Sequence, residues 1–505
     1  MRDNDEVRLL DTKGRLGRYF TLSHCWGGHQ PLTTTMSTLA DRKTSIAFSM
    51  LPKTFQDAVI VSRRLGERYL WIDSLCIIQD NDPDWQTQSA QMASIYENSA
   101  LTIAALSAKN GSEGLFTEQS KRYSAIPFDI PLPTGDVQTM YARMTLPHIL
   151  NDMPDDPVWN DFSLLRRGWV YQERSLSQRI LYFGRHELLW ECSGMTGCEC
   201  FDPCSERQKV VPQGGFLGLM PMNKAHSRRD DFLPIGVGGP NYEWRTDMNI
   251  TSSDPWYYCV VKFLTLNLTF EKDIFPALSG LAKRMARYRP GCEYHAGLWL
   301  SRNKLDDLCW EQDNKSSYEH QLPSGRTKTW RAPTWSWASI DRANPPCLPP
   351  NWSRLDPQFL HAELIDAHTK LLGVDKTGQI TGGCIVLRAP VQTGSLVWRP
   401  YSRESRLGTA SMCIESQKAP EELYLDLPPD AFEPALVSGD LLHCLRLGRL
   451  HADQALGGKD KKELSLCLRK LLNHQEDAFE RVGLVYHTST LDDTLTMIRS
   501  DIKIV

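Results

Sequence analysis

A membrane-spanning helix needs a run of about 18 apolar residues, and the sequence contains no such run. Its first residues, Met-Arg-Asp-Asn-Asp-Glu, are charged and are not followed by the apolar stretch of a secretory signal. We therefore expect a cytoplasmic protein without a membrane span. In that compartment the 14 cysteines are expected to be reduced thiols, so disulfides are not expected to hold the fold together.

A strong excess of charge of one sign is also absent. The chain has 57 Lys and Arg residues against 61 Asp and Glu residues, which gives a net charge of −4. A protein that binds nucleic acid through its phosphates would carry a basic patch, so no nucleic-acid partner is expected. The glycine patterns of the P-loop and of the dinucleotide-binding fingerprint do not occur either. The sequence thus predicts no bound cofactor.

What is present is typical of a large globular protein. A chain of 505 residues, 41 % of them apolar, is expected to form more than one domain. Residues 205–255 are polar and rich in glycine and proline, which favours a linker or insertion. The predicted organisation has four parts: a first domain at 19–175, a connecting segment with a flexible insertion at 176–255, a mainly helical segment at 256–330 and a β-rich region at 331–505.

Within the first domain, segments typical of strands and helices alternate. Residues 19–23, 69–73 and 101–106 are short apolar runs, and residues 51–66 and the segment after Asn81 have helical spacing and helix-end signals. The order βαβαβ predicts an α/β fold with a parallel, doubly wound sheet. Residues 69–73 are expected to form a central strand, because their apolar run lies between two amphipathic helices.

Five motifs follow one another in this first domain. They are Leu-Ser-x-x-Trp-Gly at 22–27, Leu-Pro-x-Thr-x-x-Asp-Ala at 51–58, Trp-Ile-Asp-Ser-Leu-Cys-Ile-Ile-Gln at 71–79, Met-x-x-Ile-Tyr-x-Asn at 92–98 and Arg-Gly-Trp-x-x-Gln-Glu at 167–173. Together they resemble the heterokaryon incompatibility (HET) domain of filamentous fungi. The later segment Pro-Thr-Trp-Ser-Trp-Ala-Ser at 333–339 looks like the C-terminal half common in such proteins. Its two tryptophans, Trp335 and Trp337, are interpreted as core residues on one face of a strand.

The resemblance implies a role in non-self recognition. HET proteins trigger growth arrest and regulated cell death when genetically different hyphae fuse. This implies a signalling or interaction module that acts through protein partners or self-association. HET domains are also similar to Toll/interleukin-1 receptor (TIR) domains, some of which cleave NAD. The resemblance therefore implies a TIR-like fold, and an NAD glycohydrolase, with NAD as substrate, is the alternative function.

Two acidic residues are the candidate catalytic residues of such an enzyme. Asp73 follows an apolar strand, at the sheet edge where α/β folds bind ligands, and Glu173 closes the last motif among Arg166, Arg167 and Arg174. A carboxylate there would stabilise the positive charge that develops as nicotinamide leaves. The alternative for both is structural. Asp73 could cap a neighbouring loop or pair with an arginine, and Glu173 could form a salt bridge that closes the domain.

Three further residues are candidate ligand contacts. Ser23 and Trp26 lie in the first turn, close to the expected position of Asp73. Gln88 stands three residues after Trp85, where similar HET sequences often carry Glu. Because an amide carries no negative charge, Gln88 weakens the enzyme hypothesis without removing it.

A cysteine and a histidine near the first turn suggest a nucleophile. His24 and Cys25 are adjacent, and adjacent residues of a strand point to opposite faces, so His24 cannot easily activate Cys25. Cys76, on another predicted strand, could still approach His24. A buried structural thiol is the simpler interpretation of both cysteines.

Four cysteines close together suggest a zinc site. Cys192, Cys198, Cys200 and Cys204 are separated by five, one and three residues. Structural zinc sites more often space paired cysteines by two to four residues, so the last three are the only convincing ligand candidates. No metal is assigned on this spacing.

Overall fold

The structure, a computed structural model, describes residues 6–28, 32–118, 121–144, 162–192, 195–199, 255–311, 325–341, 351–352, 354–399, 409–414, 420–427, 429–450, 463–472, 477–487 and 499–505. The chain divides into two compact units, residues 1–237 and residues 238–505. The stretch at 205–255, predicted to be a linker or insertion, lies outside the described residues except for Pro255.

The first unit combines short strands with helices. Its described strands are β1 (Glu6–Val7), β2 (Phe20–Ser23), β3 (Ile46–Ala47), β4 (Leu70–Trp71), β5 (Leu101–Ala104), β6 (Ile126–Pro131), β7 (Val137–Ala142), β8 (Arg179–Phe183), β9 (Leu188–Cys192) and β10 (Met195–Cys198). Its α-helices are α1 (Leu39–Thr44), α2 (Lys53–Arg64), α3 (Asp73–Cys76), α4 (Asp82–Asn98) and α5 (Gly168–Leu176).

A six-stranded sheet forms the centre of this unit. Its strand order is β10-β9-β8-β5-β2-β4. Strands β4, β2, β5 and β8 pair in parallel, whereas β9 and β10 continue the sheet in antiparallel fashion. The predicted α/β class is therefore confirmed, and the sheet is mixed. It also extends past residue 175, where the first domain was predicted to end.

The prediction that residues 69–73 form a central strand was wrong. Only Leu70 and Trp71 pair as a strand, and β4 is the last strand at one edge of the described sheet. The apolar run that follows is buried through a short helix, α3, which begins at Asp73. The central strands are β2 and β5, in which all residues are buried. A continuous apolar run indicates that a segment is buried, but it does not determine whether the segment is a strand or a helix. Here a short helix buries it.

Helices cover both faces of the sheet. Successive residues of a strand point to opposite faces, so neighbouring residues of β2 contact different helices. On one face Leu22 of β2 shares a hydrophobic core with Phe55 of α2. On the other face the hydroxyl of Thr21 lies 3.2 Å from that of Ser99, just after α4.

The motif at the start of α2 holds a neighbouring loop. The backbone N–H of Thr54 donates to the carbonyl of Gly111 (2.9 Å), and its hydroxyl accepts from the N–H of Gly114 (3.2 Å). The fully buried Asp57 accepts from the N–H of Leu115 (2.9 Å) and pairs with Lys53. Threonine and aspartate thus occur at this spacing because they hold residues 110–115 against the helix.

The same loop fixes the glycine of the first motif. Gly27 has a φ of +72°, and a Cβ atom added to it would lie 2.2 Å from Cβ of Asn110. Any larger residue would displace the loop and would also strain the backbone. The first two motifs of the sequence are therefore joined through residues 109–115.

Replacing Asp57 with Ala is expected to lower the free energy of unfolding by about 1–3 kcal/mol, because the buried N–H of Leu115 loses its acceptor. Asp57→Asn is the matched control, since its amide oxygen still accepts that hydrogen bond. Urea unfolding of the full chain measures both effects. Equal losses in the two variants would mean that the charge on Asp57, rather than its acceptor oxygen, holds the loop.

The second unit is dominated by strands. They are β11 (Glu293–His295), β12 (Leu298–Leu300), β13 (Trp310–Glu311), β14 (Asn351–Trp352), β15 (Leu355–Leu360), β16 (Glu363–Leu371), β17 (Ile380–Arg399), β18 (Thr409–Ile414), β19 (Glu421–Leu425), β20 (Leu441–Leu450), β21 (Glu463–Lys470), β22 (Ala478–His487) and β23 (Arg499–Ile504). Its α-helices are α6 (Pro255–Leu264) and α7 (Ser279–Met285). The predicted β-rich C-terminal region is confirmed.

Six of these strands form a closed ring. Strand β17 pairs with β18, and the ring continues through β19, β22, β21 and β20 back to β17, with every pair antiparallel. The 20-residue length of β17 allows it to close the ring, because it also pairs with β16 and β23 along its first half. A closed ring leaves fewer unpaired strand edges.

The Trp-Ser-Trp segment is part of the core of the second unit, as the sequence suggested, but it is a turn and not a strand. Trp335 and Trp337 are completely buried, and a 3₁₀ helix begins at Trp337. The indole N–H groups of Trp337 and Trp256 both donate to the carbonyl of Gly297, at 3.1 and 3.0 Å. For Trp337 and Trp256, this shared acceptor satisfies an indole N–H that burial removes from water.

Candidate functional site

The candidate site lies where β2 and β4 end. Asp73 follows β4, and its carboxylate accepts from the indole N–H of Trp26 (3.1 Å) and from the backbone N–H of Ser74 (2.6 Å). Because β2 and β4 are parallel neighbours, the turn after β2 and the residues after β4 meet at one edge of the sheet. Asp73 thus holds the turn that follows β2.

His24 is the first residue after β2, and its side chain is buried. Its Nδ1 is 3.7 Å from Oδ1 of Asp73, and its ring packs edge-on against Phe55. Burial lowers the pKa of His24 below 6.5, although the nearby Asp73 carboxylate acts in the opposite direction. Arg167 donates to the backbone carbonyl of His24. The imidazole is therefore expected to be neutral at pH 7.

Glu173 reaches the same region from helix α5. It is 4 % exposed, and this burial raises the pKa of its carboxyl to about 7. Asp73 raises the pKa further, whereas Arg167 and the hydroxyls of Ser23 and Tyr96 lower it. One oxygen of Glu173, Oε2, has no hydrogen-bond partner among the described residues. The carboxyl group is thus balanced between its neutral and charged forms near pH 7.

The flanking arginines have different roles. Arg167 is the arginine that acts on Glu173, whereas Arg174 forms an ion pair with Glu191 at 2.9 Å. The hydroxyl of Tyr182 donates to the same Glu191 carboxylate at 2.6 Å. The motif Arg-Gly-Trp-Val-Tyr-Gln-Glu-Arg therefore places one arginine at the candidate site and another against the β8–β9 pair.

The structure brings four of the five predicted site residues together: Ser23, Trp26, Asp73 and Glu173. Gln88 lies on α4, where its amide is 3.4 Å from Oδ1 of Asp84.

The sequence-based prediction named Arg167 beside Glu173 but missed two contributors, which are His24 as a neighbour of Asp73 and Tyr96 as a neighbour of Glu173. Tyr96 stands at a fixed position of the fourth motif, whereas His24 occupies an open position of the first motif. Membership of a motif marks these residues as candidates but does not show which of them meet.

The cysteine hypotheses gain little support. Burial raises the pKa of Cys76 to about 11, so its thiol is protonated near neutral pH and is a poor nucleophile. Burial also raises the pKa of Cys25, whose thiol faces Ser163 at 3.9 Å. Cys200 and Cys204 lie outside the described residues. Among the residues that are described, no group of three potential ligands could hold a metal ion.

One family model matches the part of the chain that contains this site. Residues 19–173 match the family model described as Heterokaryon incompatibility protein (HET). This region is a HET domain. The match starts just before β2 and ends at Glu173, so it contains the whole candidate site. The HET domain implies involvement in heterokaryon incompatibility.

Two other comparisons gave no result: no curated protein and no solved structure matches the chain. In the part of the chain that the structure describes, no helix is long and apolar enough to cross a membrane.

Proposed function

We propose that this protein is a cytoplasmic effector of fungal non-self recognition that promotes regulated cell death, and that its HET domain is a signalling or interaction module. The observation that supports this proposal is the engagement of Asp73 by Trp26 and Ser74. A carboxylate held in this way stabilises the first turn of the domain. Glu173, which is 4 % exposed, also interacts mainly with groups of the domain itself. The output of such a domain is expected to depend on its surface and its partners.

Induced expression of the full chain in a fungal host tests this role. Growth arrest and uptake of a vital dye are expected without a fall in cellular NAD. Trp26→Phe keeps the aromatic ring but removes the N–H that binds Asp73, so it is expected to weaken the response together with the stability of the domain. Normal growth on expression of well-folded wild-type protein would contradict the proposal.

A second candidate function, an NAD glycohydrolase, is favoured by one specific observation. The carboxyl of Glu173, with its pKa raised to about 7, lies close to Asp73 and Ser23 at the ends of parallel strands. Raised carboxyl pKa values of this kind are common at catalytic sites. Either carboxylate would stabilise the oxocarbenium-like state that forms as nicotinamide leaves NAD, and water would then complete the hydrolysis. NAD would be the substrate, and no bound cofactor or metal is proposed.

Nicotinamide release from NAD by the purified chain distinguishes the two functions. If the protein is an enzyme, Asp73→Asn and Glu173→Gln are each expected to lower the rate by about 100-fold or more. Glu118→Gln, at an exposed position, is the control and is expected to leave the rate unchanged. Wild-type protein that releases no nicotinamide would remove the enzyme candidate and leave the interaction module.

Gln88→Glu adds a third arm to this assay. Suppose that wild-type protein is inactive and that this substitution gives it NAD cleavage. The chain would then have kept the substrate site of an enzyme but lost the catalytic acid at position 88, and its present role would be binding. No gain would mean that position 88 does not reach the reacting bond.

A further inference from the structure

The hairpin formed by β6 and β7 is a surface that neither candidate function uses. Every residue of both strands is exposed, although the hairpin contains several large apolar side chains. The two strands pair with each other and with no other described strand. A two-stranded hairpin without further packing is only marginally stable in water, so this element is expected to gain a partner.

One face of the hairpin is strongly apolar. Phe128 is opposite Met140, and Ile126 is opposite Ala142, so these side chains point to the same side. Ile130 lies on the same face, opposite Gln138. Exposed fractions of 45 % for Phe128 and 70 % for Ile126 show that the described residues leave this face open. A contiguous exposed apolar surface marks an interaction site.

The hydrogen-bond pattern shows which backbone groups point outward. The N–H of Leu132 donates to the carbonyl of Asp136 at 2.8 Å, next to the turn. Because hydrogen-bonded and non-bonded pairs alternate in an antiparallel ladder, the even-numbered residues of both strands bond across the hairpin. The odd-numbered residues therefore direct their N–H and C=O groups to the two outer edges.

The two outer edges differ in their capacity to pair. On β6 the outward positions are Pro127, Asp129 and Pro131, so two of the three have no N–H to donate. On β7 the outward positions are Val137, Thr139 and Tyr141, each of which has both a donor and an acceptor. Among the described residues, strand β7 is thus an open edge, whereas the prolines of β6 block the other one.

We propose that β7 pairs in antiparallel fashion with β7 of a second copy of this chain, about a two-fold axis at Thr139. An axis at Thr139 brings Val137 of one copy opposite Tyr141 of the other, so all outward groups find partners. The side-chain pairs that result, valine with tyrosine and threonine with threonine, are favourable across antiparallel strands. The strand carries no charged residue, so no repulsion opposes the contact.

The same geometry limits the assembly to a dimer. Pairing of two β7 strands gives a four-stranded sheet whose outer strands are the two copies of β6. Because Pro127 and Pro131 interrupt both outer edges, further copies cannot add, and the assembly closes with two-fold symmetry. The sheet also extends the apolar face from two strands to four, and a sheet of three or more strands with such a face can be independently stable. This dimer would give the self-association named in the proposed function a defined surface. The dimer can form whether or not the protein has a role in cell death.

Sedimentation equilibrium of the full chain over a range of concentrations tests this proposal. Wild-type protein is expected to dimerise. Thr139→Pro removes one outward N–H from each copy without touching the bonds inside the hairpin, and it is expected to raise the dimer Kd by about tenfold or more. Thr139→Ala is the matched control, because it loses the same hydroxyl bond to Asp129 as the proline variant but keeps the N–H. Its Kd is expected to stay close to that of wild type.

Thr139→Lys provides a second variant in which the hairpin remains intact but two like charges meet at the axis, and it should be monomeric. Hydrogen exchange should show protection of residues 137–141 that rises with wild-type concentration. Monomeric wild-type protein would overturn the proposal, as would a dimer that Thr139→Pro and Thr139→Lys leave unchanged. A dimer that causes no growth arrest would contradict the proposed function but not this interface, and a growth-arresting monomer would do the reverse.

Discussion

Replacing Arg481 with Met is expected to destabilise the second unit by about 3–5 kcal/mol. Arg481 is completely buried in β22, and its guanidinium binds Asp426 through two contacts of 2.9 and 3.0 Å. It also donates to the carbonyls of Leu308 and Trp310, and it lies 3.6 Å from the centre of the Trp310 ring. Methionine fills much of the same volume, but it leaves the buried carboxylate of Asp426 without its cation.

The double variant Arg481→Met with Asp426→Leu separates the charge from the packing. Removal of both charges is expected to restore part of the lost stability, because a buried ion pair and a well-packed apolar pair of similar volume differ little in free energy. The carbonyls of Leu308 and Trp310 still lack their donor in the double variant, so recovery stays incomplete. Denaturant unfolding, followed by hydrogen exchange in β19 and β22, measures the effect within the second unit. A single variant that loses less than about 1 kcal/mol would contradict an essential role of this ion pair.

This ion pair also shows what the sequence could not reveal. Asp426 and Arg481 are 55 residues apart and come together only because β19 and β22 are neighbours in the closed ring. The alternation of apolar residues predicts strands in this region, but it does not say which strands pair. Ring closure depends on the register of β17 with β20, which is set by contacts between distant parts of the chain.

Local signals performed better than long-range ones in the HET domain. The side chain of Asn81 caps α4 by accepting from the N–H of Asp84 at 2.9 Å, as the helix-start signal predicted. The short apolar runs at residues 19–23 and 101–106 were predicted to be strands, and they contain β2 and β5. By contrast, the central position assigned to residues 69–73 was wrong, because an apolar run contains no information about the order of strands in a sheet.

The candidate site was partly predictable for a physical reason. Side chains that follow parallel strands meet at one edge of the sheet, so Trp26 and Asp73 were expected to be close. The approach of Tyr96 and Arg167 to Glu173 could not be predicted in this way, because it depends on how α4 and α5 pack on that sheet. Neither the spacing nor the composition of the motifs determines this packing.

Replacing Glu173 with Gln is expected to stabilise the HET domain at pH 8 by up to about 3 kcal/mol. The pKa of this carboxyl is about 7 in the folded protein against an ordinary value of 4.5, and each pKa unit corresponds to about 1.4 kcal/mol. Below pH 4.5 the carboxyl is protonated in both the folded and the unfolded chain, and it costs nothing. Between pH 4.5 and 7 the unfolded chain ionises first, so the stability of the folded domain falls. Above pH 7 the full cost is present, and glutamine removes it because an amide does not ionise.

Denaturant unfolding at pH 5 and pH 8 tests this expectation. Hydrogen exchange of the amides in β2 and β5 assigns the change to the HET domain. The difference between Glu173→Gln and wild type should be small at pH 5 and largest at pH 8, whereas the exposed Glu118→Gln should show no such trend. A variant that is less stable than wild type at pH 8 would mean that Arg167 and the nearby hydroxyls outweigh burial. If Glu173→Gln gains stability and also loses nicotinamide release, then unfolding cannot explain the loss, and the carboxyl must act in the chemical step. If it gains stability and retains the growth-arrest response, then the carboxyl is not needed for signalling, and the surface of the domain carries its output.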